Sequence, residues 1–212
     1  IDPEFKKFFL EWIKGKKVYL VTGSDYSKSE EQLGREILES VTLCYNNAGN
    51  LHCSEGKEIY RLDWTPPKEL IDLLNRILEQ SPYPIRAGNH IEYRIGMVNF
   101  SVVGRDCTYE QRLAYNKYDL ETQERSKICK LIMENFPDLE ASIGGQISVD
   151  IYPKGRNKGQ VVDFLCGPIV FFGDRTEPGG NDYEIAERLQ NPPHKVIQVK
   201  DWQETYEYLK QL

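Results

Sequence analysis

The chain has 212 residues, of which 40% are hydrophobic and 28% charged, and it carries a formal net charge of −6. That length and composition describe a globular protein of one large or two small domains with a sizeable core. The acidic balance argues against nucleic acid or an anionic membrane as the main partner, and no apolar run approaches the roughly 18 residues of a membrane helix.

Asp2-Pro3-Glu4 reads as a helix start: a capping acid, proline at the first helical position and an acid in the first turn. Phe5, Phe8, Phe9, Trp12 and Ile13 follow at helical spacing, and Gly15 ends the helix. Val18–Val21 is a short apolar run that fits a buried strand, stopping at Thr22-Gly23-Ser24-Asp25. A second helix is predicted over Ser27–Ser40. Helix, strand and helix within forty residues suggest an alternating, parallel-sheet domain.

The middle of the chain changes character. Residues 45–58 are polar and turn-rich, Tyr60–Trp64 reads as a strand, and Pro66-Pro67 opens a helix carrying Leu70, Ile71, Leu74 and Ile77. Strands follow near 90–95 and 97–103, helices between about 108 and 135, and strands near 140–143 and 146–152. Alternation such as Ile147-Ser148-Val149-Asp150-Ile151 indicates a sheet with one buried and one open face. After Pro153 the first pattern resumes: a helix over 157–164, a strand at Ile169–Phe172, a short helix from Asp182, a strand at Lys195–Val199 and a last helix from Asp201. The expected organisation is a core of residues 1–58 and 154–212 with an antiparallel α+β insert at 59–153.

Five scattered cysteines form no Cys-x-x-Cys pair. This disfavours a zinc site or a disulfide framework and points to a reducing, cytoplasmic setting. His52 beside Cys53 reads as a coincidence on a loop.

The run Gly173-Asp174-Arg175-Thr176-Glu177-Pro178-Gly179-Gly180-Asn181-Asp182 carries the most chemistry. A strand ending in Gly-Asp places a carboxylate at the strand's carboxyl end, the edge where ligands bind in open α/β sheets. A Pro-Gly-Gly turn then ends on an amide and a second acid, a set suited to a hard, oxygen-liganded cation such as Mg²⁺. Thr22 and Ser24 come to the same kind of edge from the first strand, and Lys158 starts the helix between these stations. Hydroxyls, a lysine and carboxylates together suit a transferring phosphoryl group. Each also has a plainer reading, as turn residues or a solvated helix start.

The order strand–Thr/Ser, Lys, then Gly-Asp-x-x-x-x-Gly-x-Asn-Asp resembles the last three of the four motifs of the haloacid-dehalogenase (HAD) superfamily of phosphotransferases. Glu92–Asn99, Val103-Gly104-Arg105, Glu110-Gln111-Arg112 and Ser142–Asp150 further resemble the cap of the eukaryotic-type phosphomannomutases. The resemblance implies an α/β, HAD-like Rossmannoid core with a parallel sheet, plus an inserted substrate-binding α+β cap of type C2b. It implies Arg94, Arg105 and Arg112 as the guanidiniums that hold a hexose phosphate, with Asn99, Ser148 and Asp150 also at the substrate. Without it, the arginines read as surface ion pairs with Glu92, Asp106 and Glu110. Lys158, Thr22 and Ser24 are implied at the reacting phosphate, Asp174 as the Mg²⁺ acid, and Asp182 as a further acid of the metal site. The implied reaction interconverts mannose 6-phosphate and mannose 1-phosphate, a step of GDP-mannose biosynthesis. It uses Mg²⁺ and a hexose 1,6-bisphosphate activator, in a homodimer joined through the cap.

One departure bears on activity. The family's first motif, Asp-x-Asp-x-Thr, supplies the phosphorylated aspartate and the general acid/base, and no Asp-x-Asp occurs in these 212 residues. A nucleophile cannot be replaced by tighter binding, so the chain as written is expected to turn over no substrate. A sugar phosphatase on the same fold and an inactive phosphosugar-binding homologue are the alternatives.

Overall fold

The computed structural model describes all 212 residues, Ile1–Leu212, which form two compact units. One comprises Ile1–Leu62 and Arg156–Leu212, the other Asp63–Gly155. The first unit begins with helix α1 (Pro3–Trp12), whose capping residue Asp2 accepts hydrogen bonds from the Glu4 and Phe5 amides through its side chain. Phe5 stacks on Trp202 at 5.5 Å between ring centroids, joining the two ends of the chain.

Strand β1 (Tyr19–Val21) leads into helices α2 (Tyr26–Leu33) and α3 (Arg35–Ser40). The single helix expected over Ser27–Ser40 is thus broken, and Gly34 at φ +84° is the reason, because a left-handed residue cannot continue a right-handed helix. Strands β2 (Leu43–Asn46), β3 (Leu51–Ser54) and β4 (Lys57–Arg61) follow. β1 pairs with β2 in parallel, while β2–β3 and β3–β4 are antiparallel. The polar, turn-rich segment 45–58 therefore holds all of β3 and parts of β2 and β4. Each is only four or five residues long, and β2 and β3 carry Asn, His or Cys where an aliphatic alternation would have signalled them. Because β4 pairs with β3, residues 59–62 group with the first unit, although the insert was expected to begin at 59.

The second unit runs from helix α4 (Lys68–Gln80) through strands β5 (Ile91–Arg94) and β6 (Met97–Phe100), helices α5 (Tyr109–Thr122) and α6 (Glu124–Asn135), and strands β7 (Leu139–Gly144) and β8 (Ser148–Pro153). Its antiparallel sheet has the order β5-β6-β8-β7. Val98, Phe100, Val149 and Ile151 share one face, which packs with Leu74 and Ile132 in the unit's apolar core. Glu92, Asn99, Asp150 and Ser142 lie in register across the other face. The alternation seen at Ile147–Ile151 is this division of faces. Between α5 and α6, the nearly buried Asp119 and Arg125 pair at 2.8 Å, and Arg125 also donates to the Gly145 carbonyl.

The chain then returns to the first unit through a 3₁₀ helix (Lys158–Phe164), strand β9 (Val170–Gly173), helix α7 (Tyr183–Arg188), strand β10 (Lys195–Gln198) and helix α8 (Trp202–Leu209). β9 and β10 pair in parallel as a two-stranded sheet. The fold is mixed α/β, with the parallel pairings confined to β1–β2 and β9–β10. β1 and β9 are each an outermost strand, and both border one apolar slot of 520 Å³ walled by Tyr19, Leu20, Val21, Val170, Phe171 and Phe172.

His52 lies on β3 and not on a loop. Its ring is buried among Tyr45, Tyr60 and Phe164, with centroids at 4.6–4.7 Å, and its Nε2 lies 2.9 Å from the Gly49 carbonyl. Burial lowers the imidazole pKa below its ordinary value, against the hydrogen bond to Gly49, which raises it. As pH falls, the unfolded chain takes up this proton first. The stabilisation is therefore complete above about pH 6.5, the unfolded value, and declines below it. Thermal melts of the protein and of His52→Gln at pH 7.5 and 5.5 check this: the melting temperature of the parent should fall further on acidification than that of the variant.

Candidate active site

Thr22 immediately follows β1, and its short turn is clamped by the end of β2 and the backbone that follows it. The Thr22 amide donates to the Tyr45 carbonyl at 2.9 Å, the Ala48 amide to the Thr22 carbonyl at 2.9 Å and the Asn47 amide to the Ser24 carbonyl at 2.9 Å. The Thr22 hydroxyl accepts the Ser24 amide at 3.1 Å. To make these bonds, Asn47, Ala48 and Gly49 adopt φ of +48°, +58° and +90° in succession. Such angles cost free energy in any residue but glycine. Gly49 is also required on space, since a Cβ there would lie 2.7 Å from Val161 Cγ2.

Gln160 ties this turn to the 3₁₀ helix that starts at Lys158. Its buried Nε2 donates to the Ala48 carbonyl at 2.8 Å and to Asn50 Oδ1 at 3.0 Å. Asn157 caps the helix by accepting the Gly159 amide at 2.9 Å. Lys158 Nζ then donates to Asp182 Oδ1 at 2.8 Å, with little more than a tenth of either side chain exposed.

The Gly173–Asp182 loop folds on itself. The Asp182 amide donates to the Arg175 carbonyl at 3.0 Å and the Gly180 amide to the Glu177 carbonyl at 2.8 Å. A Cβ at Gly180 would stand 2.1 Å from the Arg175 carbonyl oxygen, so the loop closes only with glycine there. A Cβ at Gly173 would meet Asp182 Oδ2 at 3.0 Å. That places the second Asp182 oxygen against the residue preceding Asp174, which is exposed, as is Asn181. Asp182 also reaches the slot between β1 and β9, where it and Lys17 are the charged side chains among the walls.

The structure thus joins Lys158 to Asp182, with Asp174 one residue beyond the point that Asp182 touches. Thr22 and Ser24 connect to this group through Gln160 and the 46–50 turn, not by a hydrogen bond of their own hydroxyls. Asp174 and Asp182 supply at most two carboxylates toward a Mg²⁺ ion, which would need further oxygens from water, phosphate or another segment. Asp182 is engaged by an ammonium, and no group of three His, Cys, Asp or Glu side chains is placed to hold a metal ion.

In the second unit, Glu92 and Arg94 project from the same face of β5. Glu92 accepts from Arg94 Nε and Nη2 at 3.0 Å each and pairs with Arg105 Nε at 3.1 Å. Arg105 Nη1 donates to Ser148 Oγ at 3.0 Å, and Asn99 Nδ2 to Asp150 Oδ1 at 2.6 Å. Burial raises the Asp150 carboxyl above its ordinary pKa, while the Asn99 hydrogen bond and the two arginines pull it down. Arg94, Asn99, Arg105, Ser148 and Asp150 therefore form one polar cluster. Arg112, on the first turn of α5, lies outside these contacts. Of the three acids that could have paired with the arginines, Glu92 does so. Asp106 instead packs against Gly88, where a Cβ would overlap its carboxylate.

A profile of the eukaryotic phosphomannomutase family matches residues 5–211. The chain belongs to this family. A phosphomannomutase of Drosophila melanogaster is 38% identical, over 96% of this chain and 86% of its own length. One from Arabidopsis thaliana is 37% identical, over 94% and 85% respectively. Among solved structures, a trehalose-6-phosphate phosphatase related protein superposes with a TM-score of 0.54 at 18% identity, covering all of this chain and 86% of the other. A sucrose-phosphatase from Synechocystis does so with 0.56 at 13% identity, covering 99% and 93%. These likenesses show the shared HAD-like fold.

Three contributors in this family member were not singled out from sequence: Gln160, the Asn46–Asn50 turn and Glu92 as a bridge between arginines. The amide-rich run Asn46-Asn47-Ala48-Gly49-Asn50 was the available signal, since amides flanking a glycine mark backbone held in unusual conformations. Gln160 and Glu92 carry no such mark. Removing the Asp182 carboxylate leaves the Lys158 ammonium nearly buried and unpaired, a loss of about 3 kcal/mol. Urea denaturation of Asp182→Ala checks it, with Lys158→Met/Asp182→Ala recovering much of the stability.

Proposed function

We propose that the protein works as a phosphomannomutase, interconverting mannose 6-phosphate and mannose 1-phosphate through a phosphoaspartate, with a hexose 1,6-bisphosphate activator. The observation that carries this reading is the Lys158–Asp182 pair, set beside Asp174 at the edge of the β1–β9 slot. An ammonium held there by a nearly buried carboxylate is preorganised to offset charge on a transferring phosphoryl group. Thr22 and Ser24 supply hydroxyl donors from the adjoining turn. Arg94, Arg105 and Arg112, with Asn99, Ser148 and Asp150, hold the hexose phosphate through planar guanidinium forks.

The slot supports a role for one more strand. β1 and β9 each offer an unpaired edge there, and the walls are apolar, as a buried strand requires. In this reading a strand ending in Asp-x-Asp-x-Thr lies in the slot and brings the nucleophile and the acid/base beside Asp174 and Lys158. Asp174 and a carboxylate of that strand would then hold Mg²⁺, which when bound would stabilise the phosphoryl charge. Asp182 serves mainly as the counter-ion of Lys158. The domain roles follow: the first unit does the chemistry, and the second binds the sugar phosphate. A homodimer through the second unit and a cytoplasmic location belong to the same reading. The location is supported by five free cysteines, and no helix is long and apolar enough to cross a membrane.

The test compares residues 1–212 with a version carrying an apolar strand ending in Asp-x-Asp-x-Thr ahead of Ile1. Each is incubated with mannose 1-phosphate, hexose 1,6-bisphosphate and Mg²⁺. The extended version should form mannose 6-phosphate and the 212-residue chain none. Lys158→Met in the extended version should lower kcat about 10²-fold. A folded extended version that releases inorganic phosphate without isomerising the sugar would replace the mutase reading with a phosphatase. One that does neither would leave a binding protein.

A further inference from the structure

Two guanidinium ions that are to grip one anion must be held close together before it arrives, although they repel each other. In the second unit Glu92 does the holding. It stands on β5 opposite Asn99 on β6, and both of its oxygens are engaged. Oε1 accepts Arg94 Nε and Oε2 accepts Arg94 Nη2, each at 3.0 Å, and Oε2 also meets Arg105 Nε at 3.1 Å. Side-chain exposure is 16% for Arg94 and about 30% for Glu92 and Arg105, so water screens the cluster only in part. Arg105 is fixed from a second direction by Ser148, and Asn99 occupies Asp150, the other acid in the cluster.

The sequence separations make the bridge specific. Glu92 and Arg94 are two residues apart on one strand and so share a face. Arg105 comes from beyond β6; its amide donates to the Asn89 carbonyl at 2.7 Å, which brings its backbone near β5, and its guanidinium is then held by this carboxylate and the Ser148 hydroxyl. We propose that Glu92 is a positioning residue for the anion site: its carboxylate bridges Arg94 and Arg105 and sets the spacing at which the two guanidiniums meet a phosphate group. This rests on the reading of the two arginines as phosphate ligands given above.

Bridging and simple charge balance predict opposite results. If Glu92 only offset positive charge, removing its charge would strengthen anion binding. If it positions the arginines, Glu92→Gln loses one of the two acceptor oxygens and the shared fork, and binding weakens. Calorimetric titration of the full chain with inorganic phosphate and with mannose 1-phosphate should show at least a tenfold higher Kd for Glu92→Gln. Glu92→Asp keeps the charge but shortens the reach, and should weaken binding similarly.

The Nε–H resonances of Arg94 and Arg105 provide a readout that a merely structural role would not move. In the parent both should be protected and should shift when phosphate is added. In Glu92→Gln they should exchange rapidly before any anion is present, while the backbone amide spectrum stays that of the folded protein. Unchanged or tighter phosphate binding in Glu92→Gln would overturn the proposal, as would weaker binding with both Nε–H signals still protected. If Glu92→Gln fails to fold, Glu92→Asp decides, and parent-like affinity there overturns the bridge. Arg94→Lys and Arg105→Lys separate the two levels: if neither weakens binding, the phosphate reading of the arginines fails whatever Glu92 does.

Discussion

Lys158 and Asp182 lie 24 residues apart in sequence and meet at 2.8 Å, with water largely kept away from both. A charge removed from water needs a partner of opposite sign at hydrogen-bond distance, so neither segment can shift without exposing or stranding an ion. That requirement fixes the 3₁₀ helix relative to the loop after β9. Gln160, two residues beyond Lys158, carries the constraint onward by bonding the Ala48 carbonyl and the Asn50 side chain. The Ala48 and Asn47 amides in turn hold the carbonyls of Thr22 and Ser24. One ion pair and one buried amide thus place three loops, from the ends of β1, β2 and β9, in a common frame.

The same logic explains the left-handed run at Asn47, Ala48 and Gly49. A backbone that must present two amides to the Thr22–Ser24 turn and a carbonyl to Gln160 cannot stay in a strand or helical conformation. Non-glycine residues in this region cost of order 1–3 kcal/mol each, and such strain persists only where the surroundings over-determine it. Here hydrogen bonds do so from both sides. The strain sits beside the residues proposed to meet the phosphoryl group, where fixed geometry matters most.

Legibility in the sequence followed the source of each signal. The capping acid and apolar spacing of α1, the alternation along β8 and the Gly-Asp ending of β9 are local patterns, and each marks a real element. β2 and β3 left no such trace, because His52 holds its strand position by packing against the aromatic cluster, and Asn46 by donating to Ser29 Oγ, rather than through intrinsic preference. The kink at Gly34 was readable in principle from the glycine alone. Of the proposed site, residue identities were legible but contacts were not. Nothing in the spacing says that Asp182 faces Lys158, or that Glu92 gathers Arg94 and Arg105. For these two arginines the plain reading as ion pairs and the functional reading as phosphate ligands are compatible: a carboxylate that pairs with a guanidinium at rest can also set its place for an anion.

The slot between β1 and β9 extends that argument to the sheet. An unpaired strand edge carries a row of unsatisfied amides and carbonyls, and proteins cover, charge or pair such edges. Here two edges border one apolar slot, whose charged side chains are Lys17 and Asp182, so neither is shielded by charge along its length. A strand placed between them would gain ladder hydrogen bonds on both sides, at about 1 kcal/mol each, besides burying its own apolar residues. In the proposed reading this strand also brings the nucleophile. Sheet completion and catalysis would then be one event: the interactions that seat the strand also aim its terminal carboxylates at Asp174 and Lys158. Substitutions in the slot walls, such as at Leu20 or Phe171, would then lower activity through the strand's placement, with the polar residues of the site unchanged.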